Sequence, residues 1–581
     1  MTRKPCRAGA VLAAAAILLL GAACNTLPVT GEVHTRPDTA AVNGPAPYFV
    51  PPGPVAGADQ EMIVRGFLIA VQANPRSTAV ARSFLSERDR VSWKPDHGTI
   101  VYAASTLAPV AGRVEVRLTD AHRIDPRGRW LGGTATTSFT LSFSLVQENG
   151  QWRIVDPPRV LPVPTSYFRS LYVPFSVGFL DRSGTVLVPT RVYLPRGEQV
   201  ASNLVRSLLA GPAGKAARTT RRVFPPGIGL DLAVVIDDQG VAEVPLDGSL
   251  SGLSPPDLYR AVVQLGWTLR QVAGISRIRV SFDGVAIPLL SGSTDVSVEE
   301  GREYDPTRGG SAQVIAVAGG RVVHVDGKTA KPVEGPLGAA GFAVRSVAQS
   351  LAHGRIAAVT ASGRRVFLAP DKGSADPGRV RAVLDRGSNL LRPVFDRFGG
   401  LWVVDATTQG AVVHLITGTS DRVVNVPGVS GTGVTAFTIS RDGTRLVAGI
   451  DSGPAVLVSN LVRGDNGRLL EALPSDRVQI EGVDPGRVLD LGQDTATTVT
   501  VLTRSTSGAL RVVAVELDGS PGQPDPASPD PVPAGALSLL ADPDPAVSVR
   551  VLTQEGRLYE LAVTGEWTRT NSGIDAAALT Q

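Results

Sequence analysis

Cys24 is the residue with the most definite chemistry written around it. Arg3, Lys4 and Arg7 precede an apolar run from Val11 to Ala23, and Gly21, Ala22 and Ala23 lead directly into the cysteine. A basic start, a short apolar stretch and small residues before a cysteine form the pattern of a lipoprotein signal. The run is 13 residues long, against the ~20 that cross a hydrocarbon core, so it reads as a cleaved signal and not a permanent span. The expectation is cleavage before Cys24, an S-diacylglycerol group on its thiol and an N-palmitoyl chain on the new amino terminus. Several chains together give stable anchoring. The position three before the cysteine is Gly21, where a larger residue is usual. Cys6 leaves with residues 1–23, so the mature chain has no disulfide and must take its stability from buried core.

Elsewhere the side chains of catalysis are scattered. There is no GxSxG, SxxK, HExxH or phosphate-binding loop, and the six histidines lie far apart. His97 and His122 have no partner spacing and read as satisfied or surface residues. Asp396, Asp405, Asp442, Asp451 and Asp490 are acids that a fold could gather, but their local sequence reads as turns. The basic run KAARTTRR, Lys215 to Arg222, reads as a solvated loop, with anionic phospholipid or wall polymer as the functional alternative. No catalytic, metal or cofactor residue is expected. Formal net charge is +4 and three of those charges sit in the signal, so the mature chain carries no global nucleic-acid footprint. Six lysines against about fifty arginines read as the codon usage of a GC-rich genome.

The elements that must carry these residues fall into zones. Residues 24–57 are rich in proline, including Pro45, Pro47, Pro51, Pro52 and Pro54, and predict a semi-rigid polyproline stalk. Over 58–165, helical spacing of Ile63, Phe67, Ala70 and Val71 predicts a helix from Asp59 to Asn74, then a second from Thr78 to Leu85. Strands follow at about 100–104, 113–118, 138–146 and 152–155, with Asn149 and Gly150 as a hairpin turn. Two helices before a curved antiparallel sheet resemble the cone of the NTF2-like α+β fold.

Residues 171–300 predict a second α+β domain. Val200, Leu204, Leu208 and Leu209 mark an amphipathic helix that Gly211 and Pro212 stop. The runs LVRSLLAGP (204–212), FPPG (224–227) and VVIDDQGVAEVPLD (234–247), a helix at 258–269 and a strand at 278–282 resemble the GerMN module of bacterial envelope proteins. Residues 311–581 repeat: GRIAAV at 354, GGLWVV at 399 and TRLVAG at 444 recur 45 residues apart, with weaker copies near Val499 and Val549. Short-strand repeats of this length predict an all-β propeller of five to seven blades. SRDGTRL (440–446) is similar to the turn motif of TolB-like propellers, and Pro521 to Pro533 reads as an exposed insertion.

A lipoprotein signal, a proline-rich stalk, an NTF2-like domain, GerMN and a propeller, in that order, resemble the LpqB family of actinobacterial lipoproteins over essentially the whole chain. The resemblance implies a protein anchored at the outer face of the cytoplasmic membrane. It also implies a partner, the extracytoplasmic domain of the sensor histidine kinase MtrB that works with the response regulator MtrA, with effects on cell division and wall homeostasis. It brings no catalytic residue with it. Two other readings stay open: a binding lipoprotein for wall glycan or a solute, and an envelope hydrolase or lyase with its site in the propeller.

Overall fold

The computed structural model describes residues 49–580, apart from 75–76, 132–137, 198, 249–251, 289–291, 309–312, 340–341, 351–353, 374–376, 523–530 and 545. Cys24 and most of the proline-rich zone lie outside the described residues, as does the middle of the Pro521–Pro533 insertion. Where the proline-rich zone is described it departs from a free stalk. Phe49 pairs with Asn74 through two backbone hydrogen bonds of 2.8 Å, Pro51 is buried, and Gly57 N–H donates to Gln151 Oε1. Backbone groups that can pair do so, so residues 49–57 belong to the first folded domain.

That domain starts with the helix Gln60–Ala70, capped by Asp59, whose Oδ1 accepts from Met62 N–H at 2.8 Å. Its apolar face buries Ile63, Val64, Phe67 and Leu68 against Phe143, Ile154 and Trp93. The Phe67 ring lies 5.5 Å from Trp93 and 5.8 Å from Phe143. The curved sheet arises because two long strands bend together. Thr99–Tyr102 runs on into Ala104–Val110, and Arg113–Thr119 continues past Asp120, at φ 48°, into His122–Ile124. One arm joins the order Ala104–Val110, Arg113–Thr119, Phe139–Glu148, Gln151–Val155; the other adds Leu161–Pro164 in parallel beside Thr99–Tyr102. Asn149 and Gly150, at φ 51° and 71°, make the hairpin between the last two strands of the first arm.

Helix Thr165–Leu171 leads into the second domain. There Tyr172–Asp181 and Leu187–Pro195 form a long antiparallel pair, covered by helix Pro255–Leu269. The approach is close because position 178 is glycine: a Cβ there would sit 2.7 Å from the Trp267 ring. Helix Val200–Leu209 packs beside it, and Gly211, at φ 79°, ends that element. Helix Pro255–Leu269 also crosses between two parallel strands, Val241–Asp247 and Arg277–Phe282.

The third region is a closed ring of six sheets. The repeats GRIAAV, GGLWVV and TRLVAG lie in the strands Arg355–Thr360, Leu401–Thr407 and Arg445–Ile450, each second from the axis in its blade. The innermost strands are Val344–Gln349, Val394–Phe395, Val434–Ile439, Gly486–Gln493, Ala536–Leu540 and Ala576–Leu579, and they touch their neighbours in cyclic order. Ala576–Leu579 comes from the end of the chain yet pairs with Val314–Ala318 in the first blade. Closing the ring this way removes the free edge that an open sheet would present.

Candidate functional site

The basic run is where sequence and structure part. Lys215 Nζ lies 2.7 Å from Asp476, Arg218 pairs with Glu471, Arg221 pairs with Asp257, and Arg222 donates to the carbonyls of Leu209 and Phe224. The expected solvated loop is instead a clasp onto the propeller. Arg169 meets Glu481 at 3.1 Å, Arg182 meets Asp465 at 3.7 Å and Arg191 meets Glu516 at 2.8 Å. In all these interdomain pairs the cation comes from the N-terminal side and the carboxylate from the fourth and fifth blades. Charge complementarity of this kind fixes which surfaces meet more than how tightly they hold.

One pair differs from the rest. Arg191 Nε and Nη2 grip both oxygens of Glu516 at 2.8 to 3.1 Å, with side-chain exposures of 15% and 11%, a bidentate geometry. Beside it Tyr193 Oη hydrogen-bonds Ser520 Oγ, and Asp518 accepts from Ser520 N–H. Burial raises the Asp518 carboxyl above the usual carboxylate range; it raises Glu516 as well, although Arg191 draws that carboxyl down. A cavity of about 200 Å³ lies here, where the three domains meet, lined by Trp130, Thr190, Arg191, Arg445, Asn460 and Asp518 among others. A larger groove of about 540 Å³ runs between the first two domains past Asp96, Asp125, Arg127, Tyr172, Tyr193 and Asn203.

The acids of the propeller are engaged. Asp396 accepts from the N–H groups of Phe398 and Gly400, from Trp402 Nε1 and from Arg463. Asp405 holds Ser388 and Asn389, and Asp442 holds Ser440, Thr444 and Arg445. Asp451 stays at a loop, its carboxylate against Gly433. Asp490 is different in kind: Arg392, from the third blade, crosses the axis to it at 2.8 and 3.0 Å. The same carboxylate accepts from Leu491 N–H, Ser538 Oγ and Leu539 N–H, so the channel is barred by a fully bonded pair. None of these five brings an acid and a base together over open space.

His97 is exposed, 3.9 Å from Asp96, and His122 stacks on Trp130 with ring centroids 4.9 Å apart. Among the described residues no cluster of His, Cys, Asp and Glu could hold a metal ion, and no helix is long and apolar enough to cross a membrane. The sequence reading missed Arg191, Glu516, Arg392 and Asp490 as a set. No local signal marks them, since their partners are 98 and 325 residues away.

Comparison with known proteins covers all three domains. The family described as "Lipoprotein LpqB, N-terminal domain" matches residues 53–169, "Sporulation and spore germination" matches 170–287, and "Lipoprotein LpqB beta-propeller domain" matches 320–576. Lipoprotein LpqB of Cutibacterium acnes is 26% identical, with 100% of each chain covered. Lipoprotein LpqB of Thermobifida fusca is 28% identical over 88% of this chain and 90% of that one. Among solved structures, the first GerMN domain of the sporulation protein GerM from Bacillus subtilis aligns with 22% identity and a TM-score of 0.19, covering 22% of this chain and 97% of that domain.

Proposed function

Because this chain belongs to the LpqB family of lipoproteins, whose name implies a membrane-anchored envelope protein, we propose that it binds the extracytoplasmic domain of an MtrB-like sensor histidine kinase and modulates its signalling without chemical turnover. In this reading lipid on Cys24 holds it at the outer face of the cytoplasmic membrane, and its effects reach cell division and wall homeostasis. The observation that carries the non-enzymatic part is the bonding of Asp396, Asp405, Asp442 and Asp490, each committed to turn amides or an arginine. The clasp supports the rest. It joins GerMN to the propeller through paired charges, so both can face one partner as a unit.

A partner shifts a sensor only by binding its two states with different affinity. Tethering both proteins to one membrane raises their effective concentration, so a modest intrinsic affinity suffices. The test is reconstitution of full-length lipidated protein with the cognate kinase in vesicles. Co-capture by crosslinking and a changed autophosphorylation rate are the expected results, both reduced by Cys24→Ala, which should also move the protein to the soluble fraction. Absence of co-capture, together with hydrolysis of an envelope polymer, would favour an enzyme instead.

The groove of about 540 Å³ favours a second reading. Its tyrosines, carboxylates, arginine and asparagine are the mixture that binds a polar solute or wall glycan, and direct titration with muropeptides separates this role from kinase binding.

A further inference from the structure

The mouth of the propeller axis is built from the residues that end the inner strands. Ser350, Asp396, Ser440, Gln493 and Asp542 end or follow the inner strands of five successive blades, and three of the blades add Phe395, Arg397, Ile439, Arg441, Ala541 and Pro543 to a cavity of about 190 Å³. Pro306 and Arg308, from the segment that joins GerMN to the first blade, complete its wall. The volume has room for several water molecules.

The charges around this cavity do not balance. Asp396 is buried and neutralised from behind by Arg463 at 2.7 Å, and Asp542 is taken by Arg441. Arg397 and Arg308 are then left over: both side chains are exposed, and neither guanidinium has an ion-pair or hydrogen-bond partner among the described residues, Arg397 lying over the Phe398 ring at 5.9 Å. Gln493, 4% exposed, uses its Oε1 to accept from Arg441 N–H, which leaves its Nε2 as a buried donor with no partner. Buried polar atoms are paired in the great majority of cases, and an exception asks for a ligand or water to complete it. All three unused groups are donors, and two are cations whose planar forks match a tetrahedral or planar oxyanion.

We propose that the propeller mouth is a binding site for a small anion bearing phosphate or carboxylate oxygens, held by Arg397 and Arg308 with Gln493 Nε2 as a neutral donor. Desolvation lowers the pKa of Arg397, although the carboxylates of Asp181, Asp442 and Asp396 act to favour its charge. Because Arg308 belongs to the interdomain segment and Arg397 to the propeller, an occupant ties the two together. Arg308 lies three residues from Asp305, which is fixed to Arg270 of GerMN at 2.7 Å.

Calorimetric titration of the full-length protein in detergent tests the site with inorganic phosphate, sn-glycerol 3-phosphate and citrate as separate arms. Saturable binding of at least one is expected, and the arm that binds tightest identifies the oxyanion. Arg397→Ala and Arg308→Ala should each weaken it about tenfold, as loss of one charge-assisted contact does, while Arg386→Ala, on an arginine 92% exposed elsewhere, should leave it unchanged. Melting temperatures of the variants check folding, and both substituted side chains are exposed, so the fold should survive. No saturable heat from any arm at ~10 mM, or binding that both substitutions leave intact, overturns the proposal.

Discussion

Two arginines near the propeller axis end in opposite states. Arg392 reaches across the channel and spends its donors on Asp490, Ser538 Oγ and the carbonyls of Leu491 and Leu539. Arg397, five residues on and past the end of the same inner strand, has no ion-pair or hydrogen-bond partner among the described residues and lies only over the Phe398 ring, 5.9 Å from its centroid. Composition treats them alike, and both lie in the segment Arg392 to Arg397 around one short strand. Their difference lies in what the other blades bring opposite them. An arginine fully bonded inside the channel is structure; one with unused donors at its mouth is available to something else.

Substitution sharpens that contrast. Asp490→Ala leaves Arg392 charged and unpaired inside the ring, and removal of one partner of such a pair costs ~3–5 kcal/mol. The propeller transition in calorimetry should drop accordingly, while Arg397→Ala should stay within ~0.5 kcal/mol, as exposed substitutions do. Equal losses at both positions would break the division between a structural and an available arginine.

The clasp offers the same contrast at smaller size. Arg191→Ala strands Glu516 beside Asp518 in the three-domain junction and should loosen GerMN from the propeller by several kcal/mol, visible as a split melting transition and new protease sensitivity. Arg218→Ala removes a pair whose side chains are 54% and 47% exposed; surface pairs of this kind contribute ~0–1 kcal/mol and fade with added salt.

The smallest effect is expected at Asp518. Its folded pKa is raised by burial, so the folded junction binds a proton more tightly than the unfolded chain. Stability therefore falls as pH rises from the ordinary carboxylate value, near ~4, through the raised one, and the cost persists at neutral pH. Asp518→Asn should remove that slope and raise neutral-pH stability by less than ~1 kcal/mol, measured as melting temperature against pH in the wild type and the variant.

Local structure was legible wherever neighbours in the chain decide it. Asn149-Gly150 takes the positive angles its types allow, Gly211 ends its helix, and the recurring apolar strands fall in equivalent places of successive blades. The bend at Asp120 that splits the first sheet into two arms carries no comparable signal, since the arms serve different cores: the first packs on the helix Gln60–Ala70, while Val101, Ile124 and Val163 of the second pack with Phe168 and Tyr172. The strand Ala576–Leu579 is also weakly marked, because alanine has little preference for extended structure. It becomes a strand because the ring needs an inner edge beside Val314–Ala318.

The basic, apolar and small-residue pattern before Cys24, the order of domains and the repeat that winds the propeller were legible in the sequence alone, for each depends on residue types at short spacing. Tertiary structure alone decided that KAARTTRR clasps acids of the fourth blade, that Arg392 is consumed and that Arg397 is not. A charge is assigned its role by whatever stands within ~4 Å of it, and for these residues that neighbour is supplied by a distant part of the chain.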